Sequence, residues 1–174
     1  MRGSHTRHST LKFAVTAIVA ALVTSLAVAP VQAHERSNAF KQRRHIKSHA
    51  KSAIGSPYSY GGSSRRGGFD CSGFTQWTYQ GHGQNLPRTS SEQFMLGKRS
   101  GYKRIWNRKK LKKGDLVFHK TTNARVGHAG IYVGKGKFIS TTSSEGVRVR
   151  SLYDPYYWGS RWVGGVRTPS TITR

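Results

Sequence analysis

The sequence predicts an α+β domain in which N-terminal helices pack on an antiparallel sheet of five to six strands. Helical patterns come first along the chain. Short β-branched stretches separated by glycines begin only after Gly114. The links between these stretches are too short for parallel crossover connections, so neighbouring strands should run antiparallel.

The first 33 residues have the three-part pattern of a secretory signal peptide. A polar basic segment runs to Lys12, an almost wholly apolar run covers 13–29, and Pro30 follows it. Val31 and Ala33 occupy the −3 and −1 positions of a cut before His34. We therefore expect export to the periplasm, cell wall or extracellular space, with no stable membrane anchor after cleavage. The alternative is an uncleaved anchor, because a run of about 17 apolar residues is at the lower limit for spanning a bilayer.

The charge balance is strongly basic, with 30 Lys and Arg residues against 6 Asp and Glu residues and a formal net charge of +24. Such a chain is attracted to polyanions. Composition alone does not choose among nucleic acid, acidic lipid and anionic wall polymers.

Three helices are predicted ahead of the strands. The first covers about 40–54, within a basic segment 34–54, because apolar residues recur at helical spacing from Ile46 to Ile54. The second covers 72–80. The third covers about 91–96 and follows a capping-box pattern formed by Thr89 and Glu92 or by Ser90 and Gln93. The intensely basic stretch 98–113 is expected to be a solvated connection.

Five strands are predicted near 115–119, 127–133, 137–142, 146–151 and 161–167. A three-residue hairpin loop at 134–136 would pair residue 133 with 137 and place Gly130 opposite Ser140. In that register His128 and Ser140 share one face, with their Cα atoms roughly 7–8 Å apart. A one-residue shift would separate them. The folded domain is expected to cover 55–168, and 169–174 to form a C-terminal tail.

Cys71 is the single cysteine and stands at the start of the second predicted helix, after a glycine-rich run. Free N–H groups and the dipole at a helix N-terminus stabilise a thiolate, so we expect a lowered thiol pKa. In an exported chain, one cysteine is an inert buried residue, an intermolecular disulfide partner or a functional thiol. One thiolate with scattered histidines has no zinc-ligand spacing. We expect neither a metal nor an organic cofactor.

A nucleophilic cysteine needs a base that takes its proton and a third group that orients the base. His128 is the histidine that lies inside a predicted strand, flanked by Gly127, Ala129 and Gly130. Glycine within a strand marks close approach by another group. The alternative for His128 is a packed histidine of the sheet without a chemical role.

Six segments in order resemble the NlpC/P60 family of cell-wall cysteine peptidases. The resemblance covers about 55–167, and the segments are 57–62, 69–74, 86–89, 113–118, 127–134 and 154–158. It implies a papain-like fold, with the nucleophile at a helix N-terminus and the base on the sheet. It also implies hydrolysis of peptidoglycan stem peptides in wall remodelling or lysis, typically at the bond between γ-D-glutamate and the diamino acid.

The resemblance also assigns roles to individual residues. Cys71 is the expected nucleophile and His128 the expected base. The expected substrate-binding residues are Tyr58, Asp70 and Ser72. The third catalytic position falls at Ser140, where the family usually has His and sometimes Asn or Gln. A serine hydroxyl carries no charge and reaches less far than those side chains.

Ser140 keeps a second interpretation open, namely a catalytically weak, cationic wall-binding module of the same fold. A cationic protein that acts on membranes or nucleic acid, and a transferase or amidase on the same fold, also remain. The expected partners are peptidoglycan and anionic envelope polymers, with no specific nucleic acid. The chain is expected to be a monomer.

Overall fold

The structure is a computed structural model that describes residues 10–171. Residues 1–9 of the predicted signal peptide and 172–174 of the predicted tail lie outside the described residues. The chain divides into one unit that ends at Ser37 and a second that begins at Asn38. The second unit contains the sheet and the predicted site.

Helix α1 spans Thr10–Ser52 and is much longer than the predicted helix. The prediction was wrong at both ends, because α1 runs through Pro30 and stops two residues before 54. Ile46 and Ala50 are fully buried, as their spacing predicted, but Ile54 follows the end of the helix and is 40% exposed. Within residues 10–171, none of the helices combines the length and the apolar character that crossing a membrane requires.

Helix α2 spans Cys71–Gln80 and helix α3 spans Ser90–Met95. Each begins one residue before its predicted start. The capping box of α3 is confirmed, because Thr89 and Glu92 exchange side-chain and backbone hydrogen bonds. Short 3₁₀ turns follow at Leu96–Lys98, Arg108–Lys110 and Pro169–Thr171.

The described residues form a six-stranded antiparallel sheet with the strand order β3-β8-β4-β5-β6-β7. Its strands are β3 (Lys103–Ile105), β4 (Leu116–His119), β5 (His128–Gly134), β6 (Lys137–Thr142), β7 (Gly146–Ser151) and β8 (Trp162–Arg167). A separate two-stranded ribbon pairs β1 (Ser63–Ser64) with β2 (Gly68–Phe69). The five long strands and the α+β class were predicted, but β1, β2 and β3 were not. Strand β3 lies in the basic stretch taken for a solvated connection, and it is defined by its pairing with β8.

The register between β5 and β6 decides which side chains can meet. Ile131 pairs with Ile139, and in this register Gly130 stands opposite Ser140, as predicted. The loop itself differs, because a bulge pairs Gly134, rather than Val133, with Lys137. A Cβ added to Gly130 would lie 3.1 Å from the Cβ of Ser140, so the glycine leaves room for close approach here.

Both faces of the sheet are covered. One face packs against the helices through a large apolar cluster that includes Phe74, Phe118 and Ile131. The other face carries a smaller cluster, whose members include Phe138 and Trp158. Because His128 is in ring contact with Trp158, its side chain reaches the second cluster.

A buried ion pair ties the last strand to the start of β4. The guanidinium of Arg167 donates to both carboxylate oxygens of Asp115 at 2.8 and 2.7 Å, and the N–H of Lys112 donates to the same carboxylate at 2.7 Å. The Asp115 side chain is fully buried. Removing one partner of such a pair leaves the other charge without compensation.

We therefore expect Arg167→Met to lower the free energy of unfolding by about 3–5 kcal/mol. Glu145→Gln is the matched control, because it breaks the Arg150 ion pair at a carboxylate whose side chain is 55% exposed. The control should cost less than about 1 kcal/mol. Urea titrations of both variants measure the difference, and equal losses would contradict the assignment.

Candidate active site

Cys71 is the first residue of α2, and the segment before it is held by backbone hydrogen bonds. The N–H of Phe69 donates to Pro57 O at 3.0 Å, and Ser59 N–H donates to Phe69 O at 3.1 Å. A Cβ on Gly73 would lie 2.0 Å from the carbonyl oxygen of Gly62. The glycine at 73 is therefore needed for the preceding loop to lie against the first turn of α2.

The Asp70 carboxylate organises the start of α2. It caps the helix by accepting from Gly73 N–H at 2.6 Å, and it accepts from Gly61 N–H at 3.1 Å. The guanidinium of Arg88 donates to both of its oxygens at 2.9 and 2.5 Å, and Ser72 Oγ donates at 3.2 Å. Burial opposes ionisation of Asp70, but the bonds from Arg88 and Gly73 outweigh it and lower its pKa.

These contacts place Asp70 and Ser72, both predicted to bind substrate, in a hydrogen-bonded group with Arg88. Arg88 also donates to Ser72 Oγ at 3.0 Å. Sequence reasoning gave Arg88 no role, although it stands in one of the six matched segments. The available signal was the scarcity of acids, since a chain with 6 Asp and Glu residues leaves few carboxylates with which an arginine can pair.

The Cys71 sulfur lies against strand β5, where the backbone N–H of Ala129 hydrogen-bonds to it. Ala129 directly follows His128, so the Cys71 sulfur lies beside the end of β5 at which His128 begins the strand. Burial raises the pKa of the Cys71 thiol, and the charge of Asp70 acts in the same direction, while the N–H groups of Ala129 and Ser72 oppose the shift. The expectation of a lowered thiol pKa was wrong, because loss of solvent outweighs the helix N-terminus.

His128 is 7% exposed, and burial together with the charge of Arg150 lowers its pKa to about 3. Its ring centroid lies 4.8 Å from that of Trp158. Nε2 is buried and has no hydrogen-bond partner within residues 10–171. Burial therefore favours the uncharged forms of both the Cys71 thiol and the His128 imidazole at neutral pH.

Ser140 is fully buried on β6, beside Gly130. Its Oγ makes no hydrogen bond to any described residue, and so none to His128. The structure thus brings Ser140 to the predicted neighbourhood without the bond that an orienting group makes. Its role as third catalytic residue stays a prediction.

Tyr58 lies beside the nucleophile. Burial raises the pKa of its phenol, and the neighbouring Cys71 and Asp70 add to that shift. A bridge between Tyr58 and Phe69 holds it parallel to the segment that leads into α2. The role of Tyr58 in binding substrate stays a prediction.

A further histidine that the sequence analysis did not select lies on β4. His119 pairs directly with His128 across β4 and β5, and their ring centroids are 6.3 Å apart. The signal that could have found it was strand parity, since antiparallel pairing of two histidines puts both on one face. Residues 10–171 contain no cluster of three His, Cys, Asp or Glu side chains arranged to hold a metal ion.

A cleft lies beyond the end of β4 and the start of β8, and Cys71 is not among its lining residues. It has a volume of about 700 Å³, and its basic lining residues are Lys120, Arg125 and Arg161. Its lining residue Lys120 directly follows His119, the last residue of β4.

The structure is an α+β fold with a cysteine at the N-terminus of α2 and a histidine at the start of β5 in the adjacent sheet. The NlpC/P60 family model matches residues 55–167. The chain belongs to the NlpC/P60 family.

Known proteins with related sequences include murein DD-endopeptidase MepH of Escherichia coli K12, 40% identical over 124 residues that make up 68% of this chain and 44% of the relative. Gamma-DL-glutamyl hydrolase of Bacillus subtilis 168 is 39% identical over 117 residues, 66% of this chain and 27% of the relative. The chain thus spans less than half the length of either relative. An NlpC/P60 family protein from Bacillus cereus ATCC 10987 has a similar structure, with a TM-score of 0.61 and 31% identity over 71% of this chain and 39% of that chain.

The lowered pKa values of His119 and His128, each about 3, predict a loss of stability in acid. The unfolded chain takes up a proton at each histidine as the pH falls through about 6.5, whereas the folded chain does so only near the lowered values. The stabilisation is therefore present above about pH 6.5 and is lost as the pH falls toward 3.

Urea midpoints between pH 7 and pH 5 test this, because most carboxylates are still ionised in that window. We expect the midpoint to fall, and His119→Phe to flatten the slope by up to about 1.4 kcal/mol per pH unit. A midpoint that does not change over this window, in either protein, would contradict the assignment.

Proposed function

We propose that this chain is a cysteine endopeptidase of the cell envelope that hydrolyses peptidoglycan stem peptides. The observation that carries the proposal is the Cys71 sulfur at the start of α2, against the N–H of Ala129, the residue that follows His128 in β5. Related proteins named as a murein endopeptidase and a gamma-DL-glutamyl hydrolase support the substrate class. Residues 1–33 act as the export signal and are removed.

The mechanism starts from the uncharged pair. Neutral His128 takes the proton of the Cys71 thiol as the sulfur forms a bond to the scissile carbonyl carbon. The carbonyl π electrons move to oxygen, and the backbone N–H of Cys71 is the proposed donor to that oxyanion. With a neutral pair, no thiolate has to exist before the substrate binds. This suits a site where burial disfavours the thiolate.

The leaving group departs in the second step. The C–N bond breaks as the His128 imidazolium gives its proton to the amine nitrogen, which leaves an acyl thioester on Cys71. Water then attacks the thioester carbon and loses a proton to His128. The C–S bond breaks, and the sulfur regains its proton from His128.

The proposed bond is the one between γ-D-glutamate and the diamino acid. The relative named gamma-DL-glutamyl hydrolase supports this choice. The relative named as a DD-endopeptidase makes the cross-link between stems the competing bond. The masses of the released fragments separate the two.

Digestion of purified sacculi, followed by mass spectrometry of the products, tests the proposal. Wild-type protein should release fragments cut at the γ-D-glutamyl bond, and Cys71→Ala should release none because the covalent step is lost. Cys71→Ala should keep the wild-type circular dichroism spectrum. Release that survives the substitution would reject Cys71 as nucleophile, and binding to sacculi without any wild-type release would favour a wall-binding module.

A second part of the proposal concerns the basic charge. The face of α1 and the start of β4 form a groove of about 360 Å³ lined by Phe40, Arg44, Lys47, Ser48, Lys51 and Lys113. Burial and the charges of Lys113 and Lys51 lower the pKa of Lys47, which shows how closely these cations approach. No acidic residue occurs between Glu35 and Asp70. We propose that this groove concentrates the enzyme on anionic envelope polymers.

Charge reversal tests the groove. Lys47→Glu combined with Lys51→Glu should weaken retention on sacculi severalfold at low salt, and high salt should abolish the difference. The matched control, Arg99→Glu with Lys109→Glu, makes the same change in net charge at exposed positions outside the groove. Equal weakening by both pairs in co-sedimentation would mean that net charge, rather than the groove, governs binding.

A further inference from the structure

His119 lies in a box of aromatic rings on the face of the sheet away from the helices. Its ring stacks on Phe138 with centroids 4.9 Å apart, and Trp158 and Trp162 lie edge-on at 5.1 and 6.0 Å. The remaining ring neighbour is His128 at 6.3 Å. His119 is fully buried.

An imidazole is an energetically unfavourable side chain in this box of aromatic rings. Among residues 10–171, neither Nδ1 nor Nε2 of His119 has a hydrogen-bond partner. A buried polar group without a hydrogen-bond partner lowers stability, whereas a phenyl ring of similar shape would fill the same space without that loss. Such a group in a folded protein calls for a functional explanation.

His128, the neighbour of His119, needs a hydrogen-bond acceptor for one of its ring nitrogens. His128 must present a lone pair to the Cys71 proton, and it does so only if its own proton is held on the other ring nitrogen by an acceptor. Nε2 of His128 is buried and unpaired among the described residues, and so is Oγ of Ser140. Ser140, the expected orienting residue, therefore does not provide the hydrogen-bond acceptor that His128 needs.

We propose that His119 is a positioning residue that accepts a hydrogen bond from Nε2–H of His128, and so takes from strand β4 the orienting role expected of Ser140 on β6. This inference rests on the proposed function of Cys71 and His128. It assigns to this chain an orienting group on the opposite side of the β5 strand from the one the family uses.

The geometry permits this contact. His119 and His128 are direct partners in the antiparallel register of β4 and β5, so both side chains leave the same face. A direct bond between ring nitrogens needs about 3 Å, which requires the rings to approach by roughly 1 Å from their present separation. One bridging water would make the same link without that movement.

The same contact suits the intermediate of the reaction. After it takes the Cys71 proton, His128 is a cation with two N–H donors in a buried setting. A neutral His119 supplies an acceptor for the donor that faces away from the substrate. Burial, the charge of His128 and that of Arg108 keep the pKa of His119 low, at about 3, so its acceptor lone pair is available at neutral pH.

Steady-state kinetics on purified muropeptides tests the proposal with three variants. His119→Phe keeps the ring that packs in the box and removes the acceptor, so kcat should fall about 10- to 100-fold while KM stays within about twofold. His119→Gln keeps an acceptor and should retain more activity. Ser140→His in the His119→Phe background supplies an imidazole from β6 and should recover much of the loss.

Two readouts separate positioning from folding. His119→Phe should be at least as stable as wild type in urea, since it removes an unpaired polar group. Nitrogen-15 shifts of the His128 ring should report the Nε2–H tautomer in wild type and a mixture of tautomers in His119→Phe. The tautomer measurement does not depend on turnover, so it decides this inference even if the wild-type protein fails to cleave peptidoglycan.

The inference is overturned if His119→Phe keeps the wild-type kcat, or if the His128 tautomer is unchanged. It is also overturned if Ser140→Ala loses more activity than His119→Phe, since Ser140 would then be the orienting group. Loss of activity in His119→Phe that Ser140→His does not relieve, with tautomers unchanged, would show a packing role.

Discussion

The docking of the first turn of α2 against strand β5 is the contact on which the site depends. The Asp70 carboxylate fixes that turn through its bonds to Gly73, Gly61, Ser72 and Arg88. Once the turn is fixed, the Cys71 sulfur lies against the backbone N–H of Ala129. Cys71 is thus positioned by a carboxylate whose two oxygens are both hydrogen-bonded within the protein.

Burial then sets the chemistry of the site. A helix N-terminus favours a thiolate, but the loss of solvent around Cys71 raises its pKa, and the same effect keeps His128 neutral. The uncharged thiol and the uncharged imidazole are the forms that burial favours. Each buried imidazole then needs a hydrogen-bond partner, and the aromatic residues of the second cluster provide few such partners.

The strand pairs show how the two histidines come to be neighbours. The hairpin of β5 and β6 places Ser140 beside Gly130, and the pairing of β4 with β5 places His119 beside His128. Two candidates for one role therefore approach the base from opposite sides. Their side chains differ in reach and in acceptor strength, and this difference leads to the proposal for His119.

Local pattern in the sequence determined the class of the fold, the five long strands, the capping box of Thr89 and the positions of Cys71 and His128. These features depend on residue periodicity and on short spacings, which a sequence displays directly. The same periodicity predicted that His128 and Ser140 share one face of the sheet. It did not predict the bulge at Gly134.

Tertiary structure alone decided the direction of the Cys71 pKa, the pairing of Arg88 with Asp70, the short strand β3 and the position of His119. Each depends on groups far apart in sequence, as when Arg88 reaches Asp70 or β3 pairs with β8. Desolvation is likewise set by everything packed around a group, rather than by its neighbours in the chain. The sequence thus determined which residue types stand at the candidate site, and packing decided the charge states that burial favours and the neighbours of each side chain.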